Sequence, residues 1–405
     1  MSIDGVKQGT RRPDFRNYEL QFGANPWDDY RALMQDGGVA YAAEHNGFWA
    51  VLSYEAVREA AADPGRFTTT GGASIPRTTD PEYPAIPLEL DPPDNREYRR
   101  LLQDGLRPAQ VAAFEPMLRA RVTACIDAFC ERGEADLRAE LGKPIPILTL
   151  ADLLGLPEDD AKEFQGWVDA FVSAASSDNS QAMQEAVGKI LGYIHQKVAE
   201  ATEQPVPGLL SDLVNSEIAG ERLNPGKAAG MAFLLIAAGA ETTINGISSA
   251  MYTIGSRPEL RDRLAADPSL IPAAIEEVLR TDSPVHYMGR TAVSTFEFRG
   301  RTMEAGERVA LMWGAANHDA TKFPDPDKFD VDRDARGHLA FGHGVHRCVG
   351  EHLARLEMKV CIEEVLRRLP DFRTLDPLEI SRDSFSSRGP RTVRVAFTPA
   401  PRSGN

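Results

Sequence analysis

FGHGVHRCVG, residues 341–350, sets three glycines, two histidines, an arginine and one cysteine within ten positions, and a long helical pattern follows it. Glycines thin the chain so that another body can approach the backbone closely. A cysteine among basic residues is poised to be a thiolate. Four uses of Cys348 follow from chemistry alone: nucleophile, zinc ligand, buried structural thiol, or ligand to another metal. A zinc site wants several N/S ligands with paired close spacings, and His343, His346 and His352 around Cys348 match no common spacing. A nucleophile wants a histidine base and a third, orienting group, which need not be sequence neighbours. A structural thiol leaves the glycines and Phe341 without a reason. An axial thiolate on haem iron would use the whole stretch: it makes iron electron-rich, helix-start N–H groups stabilise it, and the glycines let a flat macrocycle lie on the backbone.

The rest of the chain bounds the choice. It has 405 residues, 42% hydrophobic and 26% charged, an ordinary globular composition with material for a large core. The net charge of −15 argues against nucleic acid as a partner, which needs a broad basic surface. Four cysteines (125, 130, 348 and 361) are too few for a disulfide scaffold, so a reducing cytoplasm is expected. MSIDGVKQGTRRPDF at the start has neither an apolar run nor a cleavage pattern, so neither leader nor membrane anchor is expected. The most apolar run, Ala228 to Ala240, is short of a bilayer span and reads as a helix buried on nearly every side.

Along the chain, GFWAVL (47–52) reads as a buried strand and SYEAVREAAADP as a helix. Thr68–Pro87 is a long Gly/Pro/Thr-rich loop, either a lid or binding loop or a disordered one. From Pro92 to about Gln204 the pattern is mainly helical, with Asp91 as N-cap and Pro92 in the first turn. Asn224 and Pro225 open the longest helix, which holds to about Ser256. SLIPAAIEEVLR is a further helix. FEFRGRTM reads as two short strands about Gly300; RVALMW and TVRVAF are strand-like. The fold class is mainly α with a smaller β part. No linker divides it, so residues 1–405 read as one domain.

Phe341-Gly342-x-Gly344-x-His346-x-Cys348-x-Gly350 resembles the haem-binding loop of the cytochrome P-450 superfamily, the haem-thiolate monooxygenases. Further landmarks fall in order. Glu277-x-x-Arg280 is similar to the family's ExxR pair, and Arg333 to its third member. Ala238-Gly239-Ala240-Glu241-Thr242-Thr243 is similar to the oxygen-binding segment, and DPPDNREYRR to the helix that supplies groups to the haem propionates. The resemblance spans Asp91 to about Arg355. It implies a triangular, helix-rich haem domain with one long central helix and haem b as cofactor.

It also implies roles. Cys348 would be the iron ligand, with Phe341 beside the sulfur and Gly342 in the haem-contacting loop. His346, Arg99 and Arg290 would meet the propionates. Asn95 stands where many members have histidine; it offers a hydrogen bond without charge. Glu241 and Thr242 would form an acid–alcohol pair delivering protons to dioxygen, and Ala238-Gly239 would let the helix open to make room for it. The pair favours O2 with electrons delivered singly by a separate ferredoxin and NAD(P)H-dependent reductase. Arg96, Arg100, Arg347 and Arg355 would form a basic patch for that acidic carrier. Leu234, Ala237, Ala238, Val285, His286 and Met288 would line an apolar pocket for a hydrophobic small molecule; IPLELDPPD is loosely similar to terpene hydroxylases. A monomer without membrane or nucleic-acid partners is expected. The competing readings are non-hydroxylating oxidative chemistry on the same iron and a haem sensor.

Overall fold

The computed structural model describes residues 14–16, 25–35, 37–77, 79, 84–175, 180–381 and 386–404. Most of the N-terminal stretch, and positions 78 and 80–83 of the long loop, lie outside the described residues. The chain forms two compact units, each gathered from separate stretches.

One unit holds residues 1–96, 279–348 and 385–388. Its frame is a five-stranded sheet in the order Val39–Ala42, Phe48–Val51, Arg308–Leu311, Met288–Ala292, Phe67–Thr68. The Arg308–Leu311 strand runs parallel to Phe48–Val51; all other neighbours are antiparallel. The sheet is covered on both faces, which is why FWAV and VAL read as unbroken apolar runs. Successive side chains alternate faces: Phe48 and Ala50 join one core cluster, with Trp27, Tyr30 and Tyr287, while Trp49 and Val51 join the other, with Tyr54, Phe67 and Trp313. The Tyr54–Ala62 helix packs on the second face. The expected hairpin about Gly300 is present as Phe296–Phe298 and Arg301–Met303.

The other unit holds residues 97–278, 349–384 and 389–405 and is mainly helical. At its centre is the 31-residue Pro225–Gly255 helix. Asn224 caps it as the sequence predicts: its Oδ1 accepts from Gly226 N at 2.8 Å and Lys227 N at 3.3 Å. The Pro144–Leu154, Ser180–Glu203 and Glu351–Arg368 helices pack around it. The helix is long and apolar enough to cross a bilayer, so run length does not settle its setting. Its surroundings do: from Ala228 to Gly255 every residue except Ala238 is buried or half-buried. A small sheet, Arg373–Thr374, Arg394–Ala396 and Glu134–Asp136, lies in the same unit.

Two expected helix starts move. The helix expected from Pro92 begins at Asp94, and the helix expected from Cys348 begins at Glu351. In the first case Asp91 is not a side-chain cap, because its carboxylate is bonded to threonines of the preceding loop.

Candidate haem-thiolate site

The cysteine loop is a tight fold-back. Gly344–His346 forms one 3-10 turn, and Cys348 N–H donates to the Phe341 carbonyl at 2.8 Å. Gly342 and Gly344 have φ of +71° and +73°, a conformation glycine adopts without a Cβ penalty. A Cβ on Gly344 would lie 2.5 Å from the Ala61 carbonyl oxygen. That glycine therefore serves docking of the loop on the Tyr54–Ala62 helix, a reason the sequence did not reveal. The Cys348 thiol is exposed, three residues ahead of its helix. Phe341 is half-buried, its ring 5.9 Å from that of His338.

Beside this loop in the same unit lies a charged cradle. His346 Nε2 is 3.4 Å from Asp91 Oδ1 and 3.3 Å from the Thr69 hydroxyl. Asp91 also accepts from Thr69 Oγ1 at 2.9 Å and from the Thr68 hydroxyl. Burial pushes the Asp91 carboxyl up, but the hydrogen bonds from His346, Thr68 and Thr69 outweigh it and hold it at about 2. Arg290 is fully buried, donates to its neighbour's carbonyl, Gly289 O, at 2.8 Å, and feels Asp91 as the nearby acid. Burial brings its guanidinium down to about 10. Asn95 is buried too, and its Oδ1 has no hydrogen-bond partner among the described residues. Arg99, on the Asp94–Gly105 helix, belongs to the other unit and is half-buried. Asp91 is the member that sequence reasoning misplaced, as a helix cap.

Glu277 and Arg280 are both fully buried. Arg280 donates to the carbonyls of Asn317 (2.9 Å) and Pro326 (2.8 Å), and Arg333 to those of Pro324 (2.6 Å) and Asp325 (3.1 Å). Both reach the Lys328 carbonyl at 3.4 Å. Two cations thus fasten the irregular 324–328 stretch by its backbone, which explains how a segment without secondary structure keeps one shape.

On the central helix Leu234, Ala237, Ala238, Glu241 and Thr242 lie on one side, at the spacing of successive turns. Ala238 is exposed there and the other four are half-buried, so a helix otherwise covered has one open window. Thr242 Oγ1 donates back to the Ala238 carbonyl at 2.8 Å. The helix runs without a break in assignment through Ala238-Gly239. Gly239 faces the Pro144–Leu154 helix: a Cβ there would meet Leu150 Cδ2 at 3.2 Å, so its smallness serves helix packing. Glu241 is half-buried.

The expected pocket residues divide. Val285 and Met288 are half-buried, but His286 is 1% exposed. Its Nε2 lies 3.0 Å from Tyr30 OH, and burial lowers its pKa to about 3. It is a core histidine beside Tyr30 and Trp27, neither a substrate contact nor a solvent-facing group. The expected basic patch loses Arg355, whose guanidinium is committed to Glu276 at 2.6 Å and Glu351 at 2.9 Å; Arg96, Arg100 and Arg347 are exposed.

These residues suit a haem. An exposed thiol stands on a glycine loop, and a buried guanidinium and an imidazole in the same unit offer cationic and hydrogen-bonding groups for carboxylates. Comparison with known proteins agrees. Residues 161–370 match the family model "Cytochrome P450". The chain is 35% identical over 366 residues to the Steroid C26-monooxygenase of Mycobacterium tuberculosis, covering 88% of this chain and 97% of that protein. It is 35% identical over 405 residues to the Vitamin D(3) 25-hydroxylase of Pseudonocardia autotrophica, covering 98% of each. The structure of cytochrome P450 CYP109Q5 from Chondromyces apiculatus superposes with a TM-score of 0.86 at 30% identity, over 94% of this chain and 97% of that one. The family's cofactor is a haem with a cysteine thiolate axial ligand, and its members of this kind are bacterial monooxygenases that take O2, electrons from a redox partner and a hydrophobic substrate. The chain belongs to the cytochrome P450 family.

Proposed function

We propose that residues 1–405 form one cytoplasmic, monomeric haem domain that inserts one oxygen atom from O2 into a hydrophobic small molecule, with Cys348 as the iron ligand. The bound haem supplies the oxygen chemistry. The chain's own groups supply the rest. Cys348 gives a sulfur whose backbone N–H is already tied to Phe341 O, so the loop keeps its shape as the thiolate binds. His346, Arg290 and Arg99 neutralise the cofactor's carboxylates, and Asn95 adds an uncharged contact. Thr242 spends its proton on the Ala238 carbonyl, so its hydroxyl oxygen is free to accept a hydrogen bond. It hands a proton on only by releasing that carbonyl. Glu241, half-buried one residue earlier, is the group from which the proton is replaced.

Electrons come from a separate ferredoxin and its NAD(P)H-dependent reductase, docked on the exposed Arg96 and Arg347 of one unit. For the substrate, two relatives are named for a steroid and for vitamin D(3), so polycycles of that size and their side-chain hydroxylation are to be screened first. A relative 31% identical over 404 residues is named for linalool, so a terpene alcohol belongs in the same screen.

The observation that carries the reading is the cradle of His346 and buried Arg290 beside an exposed Cys348. The reduced carbon-monoxide difference spectrum tests it, with Cys348→Ala alongside. A strongly red-shifted Soret band, lost in the variant, is expected. A colourless protein, or a histidine-type carbonyl spectrum that the variant keeps, would overturn it.

A further inference from the structure

The turn that follows the Trp313–Ala316 helix carries a fully buried carboxamide, Asn317. Burying an amide costs free energy unless its ends are bonded. Both ends are. Asn317 Oδ1 accepts from Leu339 N at 2.7 Å, and its Nδ2 donates to Ser283 Oγ at 2.8 Å. The partners fix which way the amide points. A backbone N–H can only donate, so the oxygen must face Leu339. The Ser283 hydroxyl sends its proton to Leu279 O at 3.1 Å, so it is left to accept from the amide nitrogen. The backbone of the same residue is held as well: Asn317 O accepts from Arg280 at 2.9 Å, and Asn317 N donates to Trp313 O at 3.0 Å.

Leu339 stands at the base of the cysteine loop. Its carbonyl accepts from Gly342 N at 2.9 Å, and the Phe341 carbonyl accepts from Cys348 N at 2.8 Å. Three short bonds thus step from the carboxamide to the backbone of Cys348. The same turn also holds what the loop rests on. Asp319, two residues further on, accepts from the N–H of Tyr54 at 2.9 Å, at the start of the Tyr54–Ala62 helix. Its other oxygen is fixed by Thr321 N at 2.9 Å. The far end of that helix presents the Ala61 carbonyl to Gly344 of the loop. Residues 317–319 therefore grip the loop at its base and the loop's support at its start. Leucine would fill the volume of Asn317 as well; what it lacks is an acceptor for Leu339 N–H.

We propose that Asn317 is a positioning residue for the iron ligand: its carboxamide fixes the base of the cysteine loop and so holds the Cys348 sulfur in one place on its supporting helix. This deepens the haem-thiolate reading and rests on it. Asn317 acts through Leu339, not on the sulfur.

The test compares wild type, Asn317→Leu and Ser283→Ala, each as the haem-loaded protein. Asn317→Leu keeps the volume and removes the acceptor. Ser283→Ala also removes a buried polar partner, but it leaves Asn317 Oδ1 on Leu339 N–H, so it controls for a general loss of stability. Amide hydrogen exchange is read at Leu339 and Gly342. The carbon-monoxide complex of the reduced protein is followed over time, the strongly red-shifted band reporting the thiolate and a less shifted band its loss. In Asn317→Leu, exchange at Leu339 should be at least about tenfold faster, because a buried N–H has lost its acceptor. Its thiolate band should decay at least about fivefold faster than that of Ser283→Ala. Unchanged exchange at Leu339 overturns the proposal. So does faster exchange with a thiolate band as lasting as in wild type, or a band lost equally fast in both variants. Should Asn317→Leu not retain haem, Asn317→Ser, whose shorter side chain falls short of Leu339 N–H, decides by the same readouts. A wild type that shows no haem-thiolate spectrum would instead sink the reading beneath.

Discussion

Replacing Glu357 by glutamine should flatten the pH dependence of stability. Glu357 sits on the Glu351–Arg368 helix and is 3% exposed. Its Oε1 has no hydrogen-bond partner among the described residues. Burial raises its pKa to about 8, against a smaller lowering influence of Thr149. The Thr149 hydroxyl donates to the Ile145 carbonyl at 2.8 Å. Cys361, one turn on, is buried and its thiol is likewise pushed up, first by burial and then by Glu357 and Cys125.

The direction follows from proton counting. Between the ordinary glutamate value and about 8 the folded state holds a proton that the unfolded chain releases, so stability falls as pH rises through that window. From pH 5 to pH 8 the expected loss is on the order of 3 kcal/mol. Glutamine keeps the shape and can donate to Thr149 Oγ without titrating. Urea unfolding of both haem-loaded proteins at pH 5 and pH 8 should therefore show wild type losing on the order of 3 kcal/mol more than the variant over that interval. Parallel pH profiles, differing by less than about 1 kcal/mol, would refute the claim that Glu357 is held neutral.

Three further outcomes are expected. Arg290→Met should speed haem transfer to apomyoglobin by about tenfold or more, because a buried charge-assisted bond to a carboxylate contributes about 1.5–3 kcal/mol; an unchanged rate would remove Arg290 from the cofactor's carboxylates. Gly239→Ala should destabilise the protein by about 1 kcal/mol or more, the crowding against Leu150 exceeding the gain of about 1 kcal/mol that alanine brings to a helix; a stabilised variant in thermal unfolding would contradict the packing role. Ala238→Phe should leave haem content unchanged and lower affinity for the iron-binding probe 4-phenylimidazole at least about tenfold by closing the window on the central helix; unchanged affinity would place the ligand elsewhere.

Much of the architecture was legible because its signals are local. Asn224-Pro225 at a helix start, apolar strands between turn residues and Gly300 in a hairpin each act within a few residues, and each is found where expected. The cysteine loop is legible because the short, fixed spacing of its thiol, imidazole and glycines is what carries the family resemblance. Where two local readings compete, pattern alone misassigns. Asp91 before two prolines has every property of a cap, yet its carboxylate is taken by Thr68, Thr69 and His346. Gly239 and Gly344 stand in motifs that suggest room for a ligand, yet each leaves room for a packed neighbour, Leu150 or the Ala61 carbonyl.

The sequence by itself determined the mainly α fold class, through its periodicity, and pointed to the cofactor through the family resemblance that its cysteine loop carries. Only the tertiary structure decided that His286 is a core residue and that Arg355 is spent on Glu276 and Glu351. The same holds for the long loop, whose Gly71 and Gly72 carbonyls accept from Arg308. Those outcomes turn on backbone carbonyls and N–H groups. Every residue carries the same ones, so side-chain spelling cannot say which of them an arginine more than two hundred positions away will reach.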